Sequence, residues 1–265
     1  MKVSLIITTY NWKEALGAVL ESVKHQTQLP FEVIVADDGS RKDTKELLDS
    51  IKPLFPVPLF HSWQEDLGFR AAESRNKAIA KSQGDYVVII DGDIYLPPTF
   101  IEEHCRYARV GQFIQGGRVQ LDPACSSSLI DSGVVPTIWS KGLKNRKNII
   151  SNRLLANLFS RVWNSESSTR SCNMSFWRKD ILKVNGFNND FVGWGREDSE
   201  LVHRLLNSGV SRLYLKFAGA GLHLYHKENA RASLVENDQI YQTTIDSKLT
   251  RCEHGIDQFL EDGPC

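Results

Sequence analysis

The chain of 265 residues is 41% hydrophobic and 24% charged, an ordinary globular composition long enough for a substantial core, as one large domain or two fused halves. Lys plus Arg and Asp plus Glu balance at 32 each, so no global charge argues for nucleic acid, and an electrostatic partner must be met by a local patch. No stretch approaches the roughly eighteen uninterrupted apolar residues of a membrane span, and five widely spaced cysteines without a C-x-x-C pair fit a reduced, cytosolic compartment rather than a disulfide framework or zinc site.

The first hundred residues alternate strand and helix. "MKVSLIITTYNWKEA" has one Lys before a short apolar run and no small-residue cleavage site, so Val3 to Ile7 reads as a strand rather than a signal peptide. Ala15, Leu16, Val19, Leu20 and Val23 then recur at helical spacing. "FEVIVADDGS" is a second strand ending in acids, and Thr44 to Ile51 a short helix stopped by Pro53. A helix is expected over residues 71 to 82, ended by Gly84, and "YVVII" is the next strand. Such alternation implies parallel pairing in a sheet covered on both faces, with ligands beyond the carboxyl ends of the strands.

Three polar clusters fall at those ends: Thr8 to Asn11, Asp37 to Ser40, and Asp91-Gly92-Asp93. Each has a plain alternative. Asp-Asp-Gly-Ser can cap the helix near Thr44, and Asp91-Gly92 suits a hairpin turn. Neither a Walker loop nor G-x-G-x-x-G is present, so a diphosphate here would be neutralised by a cation. Asp91 and Asp93 are two residues apart, point the same way in an extended chain, and with phosphate oxygens would offer the hard ligands that Mg²⁺ or Mn²⁺ prefers.

"FIQGGRVQL" reads as one further strand, and residues 122 to 170 fit no motif. From Ser132 to Ser165 there is no acid, while Lys141, Lys144, Arg146, Lys147, Arg153 and Arg161 are basic. "NRLLANLFSRVW" places Leu154, Leu155, Leu158, Phe159, Val162 and Trp163 on one helical face. That face reads as turned to the core; the alternative is an acceptor lid or a peripheral membrane contact through residues 141 to 163. In "NGFNNDFVGWGREDSELVHRLLNSG" a glycine-rich loop around Trp194 leads to Glu197-Asp198 at the start of a helix. Acids in a first turn also simply favour the helix dipole, but aromatic platforms beside carboxylates commonly bind sugar rings. Residues 231 to 265 read as a helical tail without a catalytic signal.

Four blocks in this order, "SLIITTYN", "VIVADDGS", "GFRAAESRNKAIAKSQGDYVVIIDGD" and "NMSFWRKDILKVNGFNNDFVGWGREDSELVHRL", resemble family 2 glycosyltransferases of the GT-A fold over roughly residues 1 to 230. The last block is also similar to the carboxyl half of the β-1,4-galactosyltransferases and to chondroitin-type polymerases. The resemblance implies an α/β, Rossmann-like, mostly parallel central sheet flanked by helices. Residues 1–105 would form a nucleotide-sugar-binding half, 106–230 the acceptor-binding and catalytic-base half of the same domain, and 231–265 the tail.

It further implies that Thr8, Tyr10 and Asp38 hold the base and ribose of a UDP-sugar, with Arg70 near the base or diphosphate. Asp91 and Asp93 match the family's D-x-D motif, the first on ribose or a metal-bound water, the second on Mn²⁺ or Mg²⁺ directly. His223 or His226 supplies a further ligand. Asp198 matches the general base, and Glu197 and Trp194 match sugar-binding residues; Arg196 stands where the galactosyltransferase pattern has glycine. The implied enzyme inverts configuration and transfers a hexose or N-acetylhexosamine to a glycan or lipid-linked glycan. It would be cytoplasmic, peripheral at the inner face of the plasma membrane, and would serve bacterial surface polysaccharide or lipooligosaccharide synthesis. The alternatives from other classes are a non-catalytic nucleotide-sugar-binding protein and a sugar-nucleotide nucleotidyltransferase.

Overall fold

A computed structural model describes residues 1–165, 169–227 and 234–260. In chain order the strands are β1 (Val3–Thr9), β2 (Glu32–Asp37), β3 (Leu59–Trp63), β4 (Tyr86–Asp91), β5 (Ile94–Tyr95), β6 (Gln112–Gln115), β7 (Arg118–Leu121), β8 (Leu143–Lys144), β9 (Arg161–Val162), β10 (Asn173–Trp177), β11 (Ser211–Tyr214) and β12 (Gly221–His223). The helices are α1 (Lys13–Lys24), α2 (Lys42–Ile51), α3 (Ala71–Lys81), α4 (Phe100–Tyr107), α5 (Pro123–Ser132), α6 (Arg153–Phe159), α7 (Arg178–Lys183), α8 (Glu197–Asn207) and α9 (Leu234–Asp246). Among the described residues, no helix is long and apolar enough to cross a membrane.

Eight strands form the main sheet in the order β3-β2-β1-β4-β10-β6-β11-β9. β1 to β4 pair in parallel, β10 runs antiparallel between β4 and β6, and β11 returns parallel to β6. The inner strands are continuous apolar runs because both faces are covered. On one face, Leu16, Val19, Leu20 and Val23 of α1 pack with Phe100 and Ile101 of α4; on the other, Ala72, Ala78 and Ile79 of α3 pack with Leu201, Val202 and Leu205 of α8.

Register is what builds the site. Thr9 pairs with Asp37 and Thr8 with Asp91, so the polar ends of β1, β2 and β4 lie side by side. The antiparallel β10 brings the opposite end of its strand to the same edge: Asn173 pairs with Ile90, which hangs residues 170 to 172 beside Asp91. β6 and β11 run opposite to β10 and so end there too, at Gln115 and Tyr214.

Three local expectations change. "FIQGGRVQL" is two strands, not one: β6 stays in the main sheet, while β7 joins a four-stranded sheet ordered β5-β12-β7-β8. The break falls at Gly116-Gly117, where a Cβ on Gly116 would stand 2.3 Å from the Asn173 side chain, so only glycine passes. The hairpin reading of Asp91-Gly92 also fails, because β5 pairs with β12 rather than with β4. Lastly, the helix through residues 152 to 163 ends at Phe159 and does not face the core. Ala156 is its one buried residue, and Leu154 and Leu158 are 79% and 74% exposed. Arg161–Val162 is instead a short edge strand on β11.

Cys105, Cys125, Cys172 and Cys252 are free thiols; Cys265, with the rest of 261–265 and residues 228–233, lies outside the described residues. Of the expected tail, α9 is helical as read, but it is docked rather than appended. The Asn237 amide donates to the carbonyls of Gly195 (3.0 Å) and Val192 (3.3 Å), bracing the loop that carries Trp194.

Candidate active site

The carboxyl edge of β1, β2 and β4 gathers the expected residues. Asp37 caps its own turn, accepting from the Ser40 amide at 2.8 Å, and its other oxygen is bound by His61 Nε2 at 2.7 Å. The capping reading of this cluster therefore does not extend to α2, whose N-cap is Arg41. Asp38 points the other way, accepting from the Gln64 amide at 2.6 Å and the Arg70 backbone N–H at 2.8 Å. Burial raises its pKa against the pull of those two donors. Tyr10 is half exposed at the mouth, its hydroxyl donating to Asp66 at 3.0 Å. The Arg70 side chain pairs with Glu73 at 2.8 Å.

Asp91 and Asp93 part company. β4 ends at Asp91, the chain turns at Gly92-Asp93, and the two carboxylates take different bonded partners while each still feels the other's charge. Asp91 accepts from Arg75 at 3.3 Å. Asp93 faces β12 and the residues after it: its Oδ2 lies 3.4 Å from His223 Nε2 and 3.3 Å from His226 Nε2. The ligand atoms of these three residues all lie within 4.8 Å of one another. Asp93 Oδ1 is buried with no hydrogen-bond partner, a costly state for a carboxylate unless a cation completes it. A site of one carboxylate and two imidazoles fits a divalent ion, and the nitrogen donors suit Mn²⁺ better than Mg²⁺, which prefers oxygen. Both histidines that the spacing left undecided are therefore at the site, whereas Asp91 stands with Arg75.

Arg75 was not singled out by the sequence. It lies on α3, four residues after the helix begins, and is 4% exposed. Its guanidinium donates to Thr8 Oγ1 (3.2 Å), Asp91 (3.3 Å) and Glu197 (3.4 Å), with the Phe187 ring 5.2 Å away. Burial would lower its pKa, but Asp91, Glu197 and Asp198 outweigh that and raise it. One cation thus ties β1, β4 and α8 together. The available signal was weak: an arginine on the sheet-facing side of an otherwise Ala-rich helix.

Glu197 and Asp198 open α8. Asp198 accepts from the Ser199 N–H at 2.7 Å and the Ser171 N–H at 3.2 Å. Burial, then the neighbouring Glu197 charge, push its pKa up to about 7, against the opposing pull of Arg75 and the two backbone donors. A half-buried carboxylate poised near neutrality can take a proton from a hydroxyl. The loop before it is held open by Gly193 (φ 78°) and Gly195 (φ 110°), and Arg196 itself adopts φ 77°. This is the left-handed region that the glycine of the galactosyltransferase pattern would enter without strain. Here Arg196 is held by an ion pair to Asp238 of α9 at 2.5 Å and lies over the Tyr241 ring, so the docked helix compensates for the missing glycine. Trp194 is 39% exposed on this loop.

The family model described as Glycosyl transferase family 2 matches residues 4–183, and one described as the N-terminal domain of galactosyltransferase matches residues 156–227. The chain is 26% identical over 248 residues to the chondroitin synthase of Escherichia coli, covering 85% of this chain and 34% of that protein. It spans between about a quarter and a half of the length of the first curated relatives it matches. Among solved structures, the S. aureus TarS fragment 1–349 in complex with UDP superposes with a TM-score of 0.63 at 15% identity, covering 98% of this chain and 70% of that one. A mannosyltransferase from Pyrobaculum calidifontis in complex with GDP-Man and Mn²⁺ superposes with a TM-score of 0.61 at 17% identity, covering 98% and 68%. These two share the fold.

Proposed function

The chain belongs to glycosyl transferase family 2, an enzyme family, and from that premise we propose that it is an inverting, metal-dependent transferase moving a hexose or N-acetylhexosamine from a UDP-sugar to a glycan hydroxyl. The observation that carries the reading is an ion-ready trio (Asp93, His223, His226) linked through Asp91 and Arg75 to a half-buried carboxylate raised toward neutrality (Asp198).

In this reading Asp38 accepts from the uracil N–H, and Thr8 and Tyr10 border the base and ribose. Arg70 and Asp91 face the ribose and diphosphate side. Asp93, His223 and His226 hold the divalent ion, whose chemistry is neutralisation of charge on the departing diphosphate. Trp194 and Glu197 border the sugars. Asp198 takes the proton of the acceptor hydroxyl as its oxygen bonds to the anomeric carbon and the bond from that carbon to the diphosphate breaks, releasing UDP. A single base and a single displacement invert the anomeric centre, so an α-linked donor gives a β-glycoside. Bacterial surface polysaccharide or lipooligosaccharide is the acceptor class we propose.

Incubation with Mn²⁺ and a panel of UDP-Gal, UDP-Glc, UDP-GalNAc and UDP-GlcNAc is expected to release UDP from one or two of them. Pyrophosphate formation would favour a nucleotidyltransferase, and binding without release a carrier. In calorimetry, Asp93→Ala is expected to remove the Mn²⁺-dependent part of UDP affinity; an unchanged affinity would count against the ion site.

The exposed Trp139, Leu154 and Leu158, set among Lys141, Lys144, Arg153 and Arg161, support a contact with the anionic inner face of the plasma membrane. Sedimentation with anionic vesicles should carry the protein down, and replacing the three apolar residues by Ser should abolish this. Absence of sedimentation by the unaltered protein removes the membrane contact from the proposal.

A further inference from the structure

A cavity of about 740 Å³ opens beside the proposed base and is lined by none of the residues assigned above. Its volume lies within the roughly 300–1,000 Å³ of small-molecule sites. One wall is the segment before β10, where Arg170 and Cys172 flank Ser171, whose N–H holds Asp198. The wall is itself pinned: the Gln115 amide donates to the Arg170 carbonyl at 2.9 Å, and the Arg170 N–H donates back to Gln115 at 3.3 Å. The facing wall comes from the segment after β8, with Asn148 donating to the Arg118 carbonyl at 2.9 Å.

The lining is one-sided in charge. Among the described residues, Arg118, Arg146, Lys147, Arg170 and Lys216 line it, no acidic residue does, and none of the five makes an ion pair with a described carboxylate. Arg118 reaches Cys172 Sγ at 3.5 Å, at the end of the cavity nearest Asp91. Lys216 lies over the Tyr214 ring at 5.6 Å, both of them lining residues. In a chain whose charges balance overall, five like charges around one hollow repel each other, solvent and the Asp91 charge near Arg118 offsetting part of this, and an entering anion relieves the rest. Cys172 on one wall feels the charges of Asp91 and Asp93, and Ser171 on the same wall holds Asp198, so the cavity adjoins both the leaving-group side and the proposed base; an anion held beside that base belongs to the second substrate.

Resting on the transferase reading, we infer that the acceptor glycan is anionic and carries a phosphate or carboxylate close to the hydroxyl that is glycosylated. The cavity holds that group while Asp198, on the shared wall, meets the hydroxyl. The cavity thus selects the acceptor by charge, independently of the donor.

Calorimetric titration of the protein, both free and loaded with UDP and Mn²⁺, with methyl glucoside, methyl glucuronide and methyl glucoside 6-phosphate tests this. At least one anionic glycoside is expected to bind about tenfold tighter than the neutral one, the sum of two or three partly screened charge contacts. Whichever anion gains the advantage identifies the acceptor group as carboxylate or phosphate. The exposed pair Arg146→Ala/Lys147→Ala, and separately Lys147→Glu, should erase the advantage while leaving UDP affinity unchanged. Equal binding of the three glycosides, binding of neither anion, or an advantage that survives both variants overturns the inference. Loss of UDP binding in the unaltered protein would count instead against the transferase reading, since the free-protein titration reads the cavity without the donor.

Discussion

Asp198→Asn is expected to cut sugar transfer by roughly a hundred- to ten-thousandfold, the usual worth of a positioned base, while UDP with Mn²⁺ binds as before. The substitution is nearly isosteric and removes only proton affinity and one acceptor. The carboxylate accepts from both the Ser171 and Ser199 N–H groups, and an amide can accept through one oxygen only, so a single backbone hydrogen bond is lost at a cost of about 1 kcal/mol. That is too little to unfold the chain. The pH profile supplies an independent check. Because the proposed base, Asp198, has to be deprotonated and its pKa is raised to about 7, the rate should fall about tenfold per pH unit below that value, whereas residual turnover by the Asn variant should lose this dependence. A parallel fall in UDP affinity, measured by calorimetry, would show that Asp198 has been misassigned.

Arg75→Met should have the largest effect on the folded state. It leaves Asp91 and Glu197 without their cation, and breaking a buried pair by removing one partner costs about 3–5 kcal/mol. The Arg75 and Glu197 side chains are 5% and 11% exposed but Asp91 is 33% exposed, so solvent shares part of the loss and the lower end of that range is expected. Chemical denaturation reads this directly. Function should suffer beyond stability: without Arg75 opposing them, burial and Glu197 are free to raise the Asp198 pKa further, moving the acid limb of the rate profile to higher pH. Arg75→Lys should recover only part of either property, since one ammonium cannot reach the three groups that the guanidinium fork spans. A Met variant within about 1 kcal/mol of the unaltered protein, well under the cost of a buried unpaired charge, would mean that the network is solvated and that Arg75 is not its centre.

Much of the candidate-site edge was legible because its elements are local. β1, β2 and β4 are compact apolar runs, α1 and α3 have helical periodicity or strong helix formers, and the polar residues that end the strands follow them directly in sequence. Parallel alternation then places all three ends on one edge. The second half resisted reading for equally physical reasons. A short apolar run cannot show that Gly116-Gly117 sends its two ends into different sheets, because that depends on Asn173 closing the space where a Cβ would go. Nor can periodicity say whether an apolar helical face meets the core: Leu154 and Leu158 fit the pattern and yet are exposed, since none of the described residues packs over α6 on that side.

By itself, then, the sequence determined the alternating strands and helices, the edge that carries the polar residues and the residue types gathered there. Pairings between distant segments were decided only by the tertiary structure. Arg75 and Glu197 are 122 positions apart, Asp93 meets His223 and His226 because β5 and β12 pair, and α9 takes over from an absent glycine at Arg196. Local sequence encodes dihedral preference and burial period, which act over a few residues. Which cation neutralises which carboxylate is a matter of a few ångströms between segments, and only the packed sheet sets those distances.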